Sequence, residues 1–337
     1  MSFKDIYGHE KQIKVLQTAI SRNRLAHAYL LYGAEGVGKK TVAEVFAKAL
    51  NCKSGQDSLD ACDVCPSCLK IDHRNHPDVV TIRAQGQFIK IQEIRELQEQ
   101  MKFSPFEGGK RIFIIGDADR MNIASANAIL KTLEEPTASN ILILITSRPH
   151  QLPATVLSRC QQVRFNPLGR ETIVSFLVSK LSLDSKSAQA IALSSGGSIG
   201  KALAMNDESY LTIREKVIDI IARIKTKDPL KMLSTLNDFG QERKDIVERL
   251  GILMTGYRDA LVYKETGDRD NLINQDHFDI IKSVADNASG RNILNCIRTV
   301  DRALHTINQN ANKQLTLEVM MFTLGRHHEQ MILDIPQ

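Results

Sequence analysis

The chain contains no tryptophan, and aromatic residues make up only 5% of its 337 positions, a scarcity that leaves function open. Long apolar runs are missing too. The longest clearly apolar stretch, Ile141-Leu-Ile-Leu-Ile145, is far short of the ~20 residues that span a bilayer. The first residues, Met1-Ser-Phe-Lys-Asp-Ile-Tyr7, mix charges into the opening turn. They offer no apolar core for a secretory signal. A cytoplasmic protein with no membrane partner is expected. The excess of one charge is small: 44 Lys and Arg against 39 Asp and Glu give a net +5. Dedicated DNA binders concentrate far more positive charge on one face.

Proline is unevenly spent. Seven of the nine prolines lie at or before Pro167, leaving Pro229 and Pro336 for the second half. The first half carries short β-rich apolar runs at Ala28–Tyr32, Val79–Ile82, Ile112–Ile115, Ile141–Thr146 and Val163–Phe165. Helical spacing lies between them at Lys39–Leu50, Ile91–Met101 and Asn122–Glu135. Strands alternating with helices predict an α/β domain with a mostly parallel sheet over residues 1–167. Beyond it, Glu171–Leu181, Ser185–Leu193 and Ser198–Met205 read as three short helices, so residues 168–207 form a small three-helix domain. From 208 to 337 apolar residues recur at helical intervals, as in Ile246, Leu250, Leu253 and Tyr257, and predict an all-α bundle.

Glycine is placed with purpose. In Ala28-Tyr-Leu-Leu-Tyr-Gly33-Ala-Glu-Gly36-Val-Gly38-Lys39-Lys40-Thr41, Gly33, Gly38 and Lys39 fit the P-loop pattern G-x-x-x-x-G-K between a predicted strand and a predicted helix. Such glycines let backbone N–H groups wrap a phosphate, the helix N-terminus adds favourable partial charge, and the lysine reaches the terminal phosphates. A Gly-rich turn without ligand is the bland alternative. The position after Lys39 should hold a hydroxyl for Mg²⁺. It is Lys40, whose ammonium repels the ion, while Thr41 lies about 100° further round the helix. The strand Arg111–Ile115 should end in a metal-binding Asp and a Glu that activates water, but it continues Gly116-Asp117-Ala118-Asp119. ATP or ADP binding survives these losses on paper; Mg²⁺ is not expected in this site, and hydrolysis is expected to be absent or very weak.

Four of the six cysteines crowd into Cys52-x9-Cys62-x2-Cys65-x2-Cys68. In a reducing compartment this spacing reads as a metal site. Four thiolates suit tetrahedral Zn²⁺ and leave no open coordination position, so a structural site is expected in an insertion at about residues 51–70. Its net charge of −2 makes Lys53 and Lys70 candidate neighbours. An iron–sulfur cluster is the competing occupant. Cys160 and Cys296 stand alone and read as packing residues.

The motifs then become specific. Ala126-Asn-Ala-Ile-Leu-Lys-Thr-Leu-Glu-Glu-Pro136, Thr146 at a strand end, and Leu157-Ser158-Arg159-Cys160-Gln161 resemble those of AAA+ clamp loaders. With the cysteine cluster and the altered P-loop, the chain is similar to the δ′ family of bacterial DNA polymerase III. The resemblance is dense over residues 1–205 and architectural beyond. It implies a AAA+ domain, a lid of three helices, and a C-terminal helical collar for oligomerisation. It also implies a hetero-oligomer with γ/τ and δ subunits that loads the sliding clamp on primer-template DNA. In this reading Ser158 and Arg159 form the motif that presents an arginine to ATP on the neighbouring subunit, where a guanidinium stabilises charge on the phosphate in the transition state. Gly33, Gly36, Gly38, Lys39, Lys40 and Thr41 mark the degenerate nucleotide site, and Tyr7 matches the adenine-side segment. The arginine expected in a Gly-Gly-x-x-Arg pattern is replaced, since Gly196-Gly197-Ser198-Ile199 is followed by Gly200 and Lys201.

Two other functions compete. A motor ATPase of the γ/τ type needs a hydroxyl at position 40 and a carboxylate at 116. A stand-alone zinc-dependent nucleic-acid-binding module needs a more basic surface. On Lys90–Lys102, Ile91, Ile94, Leu97, Gln98 and Met101 form one stripe that should face a core. Lys90, Arg95 and Lys102 then lie outward among glutamates, and a solvated face is preferred over a DNA contact.

Overall fold

The computed structural model describes residues 1–54, 59–84, 86, 88–107, 109–224, 235–309 and 311–333. The chain forms two compact units, Met1–Leu183 with Ser195–Lys201, and Asp184–Ser194 with Ala202–Gln337.

The first unit is a parallel sheet. Its strands are β1 (Ala28–Gly33), β2 (Val79–Ile82), β3 (Arg111–Ile115), β4 (Asn140–Thr146) and β5 (Gln161–Phe165), in the spatial order β2-β3-β4-β1-β5. Every residue of β3 and of β4 is buried, which is why both read as continuous apolar runs and not as alternating ones. The helices are α1 (Glu10–Ser21), α2 (Lys39–Asn51), α3 (Pro66–Asp72), α4 (Ile91–Met101), α5 (Ile123–Glu134), α6 (Ala154–Leu157) and α7 (Arg170–Leu181). Two apolar layers follow from the strand pleat. Tyr29, Leu31, Ile112, Ile114, Ile141 and Ile143 face α2 residues such as Val42 and Phe46. Leu30, Phe113, Ile115, Leu142 and Leu144 face Ile94 and Leu97 of α4 and Ile129 and Leu133 of α5. The α4 stripe is core-facing as its spacing predicts, and Gln98 on it donates to the Ala128 carbonyl at 2.9 Å and to Thr132 Oγ1 at 3.0 Å, tying α4 to α5.

The helices α8 (Ser185–Ser194) and α9 (Ile199–Met205) follow α7 within two residues of the predicted boundaries. The second unit continues with α10 (Glu208–Arg223), α11 (Arg243–Thr266), α12 (Phe278–Asn287), α13 (Gly290–Asn308) and α14 (Lys313–Leu333). Its core joins Ile218 and Ile221, Leu253 and Tyr257, Ile293, Cys296 and Val300, and Met321 and Leu324. Asp259, fully buried, accepts from the backbone N–H groups of Ile273 (3.0 Å) and Asn274 (2.7 Å) and from Asn274 Nδ2 (2.8 Å), so its charge is answered inside the bundle.

Candidate nucleotide site and metal centre

Parallel strands bring their C-terminal ends to one edge, the usual place for a ligand in an open α/β sheet. Register sets Tyr32 of β1 beside Thr146 of β4, and Gly33 beside Phe165 of β5. Glycine is required at 33, where a Cβ would stand 2.0 Å from the Phe165 carbonyl oxygen. At Gly36, with φ +72°, a Cβ would meet Ser198 Oγ at 2.4 Å. The same residue's carbonyl accepts from the Gly200 N–H at 2.8 Å. Where the family resemblance implies an arginine side chain, the backbone of Ser198–Gly200 lies against the loop.

Lys39 is buried, and its ammonium donates to the carbonyls of Gly33 (2.7 Å) and Ala34 (2.6 Å). Burial pushes its pKa down, against the carboxylates of Glu35, Asp119 and Asp117. Lys40 turns away along α2 and pairs with Glu44 at 3.2 Å. Thr41 is half-buried on the same helix. Asp117, with φ +52°, opens the short turn after β3, but the carboxylate that engages the neighbouring strand end is Asp119, which accepts from Thr146 Oγ1 at 2.5 Å. Tyr7 is held to α7, its hydroxyl 2.7 Å from Ser179 Oγ and its ring edge-on to Phe176 at 5.1 Å.

His9 also belongs to this site. Its Nε2 lies 2.7 Å from the Val37 carbonyl, an acceptor, so this nitrogen carries the proton and donates. Burial lowers the ring's pKa and keeps it neutral. The ring packs against Phe165 at 4.8 Å and braces the loop beside Gly38. No local pattern marks a histidine for this role, because its partner lies 28 residues away.

Arg159 follows α6 at the surface. Its Nη1 donates to the Thr155 carbonyl at 3.0 Å and its Nη2 sits 2.9 Å from Glu134 Oε1. Ser158 Oγ donates to the same Thr155 carbonyl at 3.2 Å. Cys160 beneath is buried in the α4–α5 layer, and burial pushes its thiol up to about 12.

The four cysteines do converge: the sulfurs of Cys52, Cys62, Cys65 and Cys68 all lie within 4.8 Å of one another, with Cys62 and Cys68 at 4.0 Å. A tetrahedral Zn²⁺ with bonds of about 2.3 Å needs sulfurs about 3.8 Å apart, so the set fits after a small contraction. Backbone N–H groups already point at sulfur, from Cys65 to Cys62 (3.3 Å) and from Cys68 to Cys65 (3.5 Å). Ser54 first, then the N–H groups of Val64 and Cys65, hold the Cys62 thiol down to about 6. Burial pushes Cys68 up, and a divalent cation is what would hold it as thiolate.

The basic neighbours of this cluster answer a different charge. The ammonium groups of Lys53 (2.9 Å) and Lys70 (2.5 Å) both pair with Glu107, while the Lys53 backbone N–H points at the Cys65 sulfur. Lys48, 1% exposed, lies between Asp72 at 2.7 Å and Asp63, and donates to the Met1 carbonyl at 3.0 Å. Asp60 accepts from the N–H of Phe3 at 2.7 Å and of Ala61 at 2.8 Å. The cysteine insertion therefore grips the N-terminal segment that leads to Tyr7 and His9.

A five-stranded parallel sheet with a glycine-rich loop between its first strand and the following helix, completed by a C-terminal helical region, defines a P-loop type of α/β fold. Residues 8–169 match the family described as DNA polymerase III, delta subunit, and residues 208–325 match its C-terminal counterpart. The chain is 32% identical to the DNA polymerase III subunit delta' of Bacillus subtilis, over 96% of this chain and 98% of that one. It is 26% identical to the tau subunit of the same organism, over 99% of this chain, but spans only 63% of that protein. Among solved structures it is similar to a DNA polymerase III gamma subunit-related protein from Thermotoga maritima, at 20% identity and a TM-score of 0.41, covering 95% of this chain and 99% of that one. The chain belongs to the family of DNA polymerase III clamp-loader subunits that includes delta', tau and gamma.

Proposed function

We propose that this chain is the δ′-type member of a bacterial clamp loader, a cytoplasmic subunit that lends Arg159 to ATP bound by a neighbouring γ/τ-type subunit and does not itself hydrolyse ATP. With γ/τ and δ partners it helps place the sliding clamp on primer-template DNA. The observation that carries this reading is the fate of position 40. Lys39 remains to meet a phosphate, yet the next side chain is an ammonium paired with Glu44, and position 116 has no side chain. Nothing at either place can take a magnesium ion. The cradle admits ATP or ADP only as a bound anion facing Lys39 and the loop N–H groups. Zn²⁺ held by Cys52, Cys62, Cys65 and Cys68 is structural in this reading. The domain division is the one expected of such subunits: a AAA+ domain over 1–167, a lid over 168–207 and a collar over 208–337.

The test is steady-state ATP turnover. The purified chain alone, with Mg²⁺, is expected to show none above background. In the reconstituted complex Arg159→Ala is expected to slow turnover at the adjacent site by about a hundredfold with assembly unchanged. Brisk Mg²⁺-dependent turnover by the lone chain would instead favour the γ/τ-type motor.

A further inference from the structure

We propose that Glu134 is a positioning residue for Arg159, fixing its guanidinium so that the free edge is ready for a phosphate across the subunit boundary; this rests on the reading of Arg159 given above. The sequence poses the question first. The helix α5 closes on Lys131-Thr-Leu-Glu134-Glu135, and Pro136 follows directly. The last turn of a helix exposes carbonyl groups with partial negative charge, so carboxylates are disfavoured there. Two glutamates at this place do nothing for the helix.

Geometry supplies a reason for one of them. Glu134 Oε1 stands 2.9 Å from Arg159 Nη2, while Nη1 donates to the Thr155 carbonyl at 3.0 Å. The two anchors come from different elements, α5 and α6, and act on different terminal nitrogens. A planar group held at two points keeps a single orientation, whereas a free arginine samples many rotamers. The guanidinium has five N–H donors, and these contacts use two of them. Arg159 is 36% exposed, so the pair does not bury the cation. It aims it. Glu135, the next residue, makes no ion pair with Arg159 among the described residues, and so provides a neighbouring control.

An exposed ion pair adds little to stability, so the effect belongs in turnover and not in melting. In the reconstituted complex, Glu134→Ala is expected to lower kcat for ATP about three- to tenfold with KM nearly unchanged. Its melting temperature and assembly should match the parent. Glu134→Gln, whose amide oxygen still accepts, should return to within about twofold, and Glu135→Ala should equal the parent. Joined to Arg159→Ala, Glu134→Ala should cost nothing further. Parental turnover or faster turnover in Glu134→Ala overturns the proposal, as does an equal loss in the Arg159→Ala background. If Arg159→Ala itself leaves turnover intact, the reading of Arg159 falls and the positioning role with it. If Arg159→Ala is slow while Glu134→Ala is not, only the positioning role falls.

Discussion

Lys40 sits beside the phosphate loop yet answers the carboxylate one helical turn on. Ion pairs at this spacing are worth only a few tenths of a kcal/mol, enough to set where the Lys40 ammonium rests and too little to matter for the fold. Glu107 makes the opposite case, a single carboxylate shared by Lys70 and Lys53. Lys70 first, then Lys53, holds its pKa down to about 2, against about 4.3 in an unfolded chain. A depressed carboxylate contributes stability above its unfolded value and loses it as pH falls through the folded one. Glu107→Gln is therefore expected to cost about 1 kcal/mol or less at pH 7. The difference should shrink below about pH 4 and vanish near pH 2, as denaturant melts at stepped pH would read. The residues legible in the sequence are those whose role is declared by near neighbours: Gly33, Lys39 and the cysteines at 62, 65 and 68. His9, Asp119 and Glu134 were not, because Val37, Thr146 and Arg159 meet them only through the fold.

Among elements, the five strands were legible because their runs are short, apolar and bounded by glycine, proline or charge, most of them rich in β-branched residues. The helices α2, α4, α5 and α7 were legible from their spacing. The helices α1, α3 and the four-residue α6 escaped. On α1 only Ile13 and Leu16 are buried, too few to declare a face. The seven-residue α3 begins at Pro66, capped by Cys65 Sγ accepting from the Cys68 N–H, so its start is dictated by a would-be metal ligand. That dependence makes the insertion the place to test. Purified protein should carry about one zinc per chain, as elemental analysis would show. Stripping it with a chelator, or replacing Cys62 with Ser, should lower the melting temperature. It should also speed hydrogen exchange at Phe3, whose N–H rests on Asp60. A metal content near zero would remove the site, and iron in place of zinc would reassign it.

For the whole molecule, the class of fold was legible and the strand order was not. Alternating strands and helices give a parallel sheet, but nothing local states that β1 lies between β4 and β5. That arrangement bears on the order in which the chain is made. During synthesis β1 leaves the ribosome early, yet both of its hydrogen-bonding edges wait for segments translated much later. A nascent chain that stops before Asn140 has no partner for either side of Ala28–Gly33, and one that stops before Gln161 still has one bare edge. The glycine-rich loop from Gly33 to Gly38 hangs from that strand, so it is among the last parts of the first unit to take shape at birth.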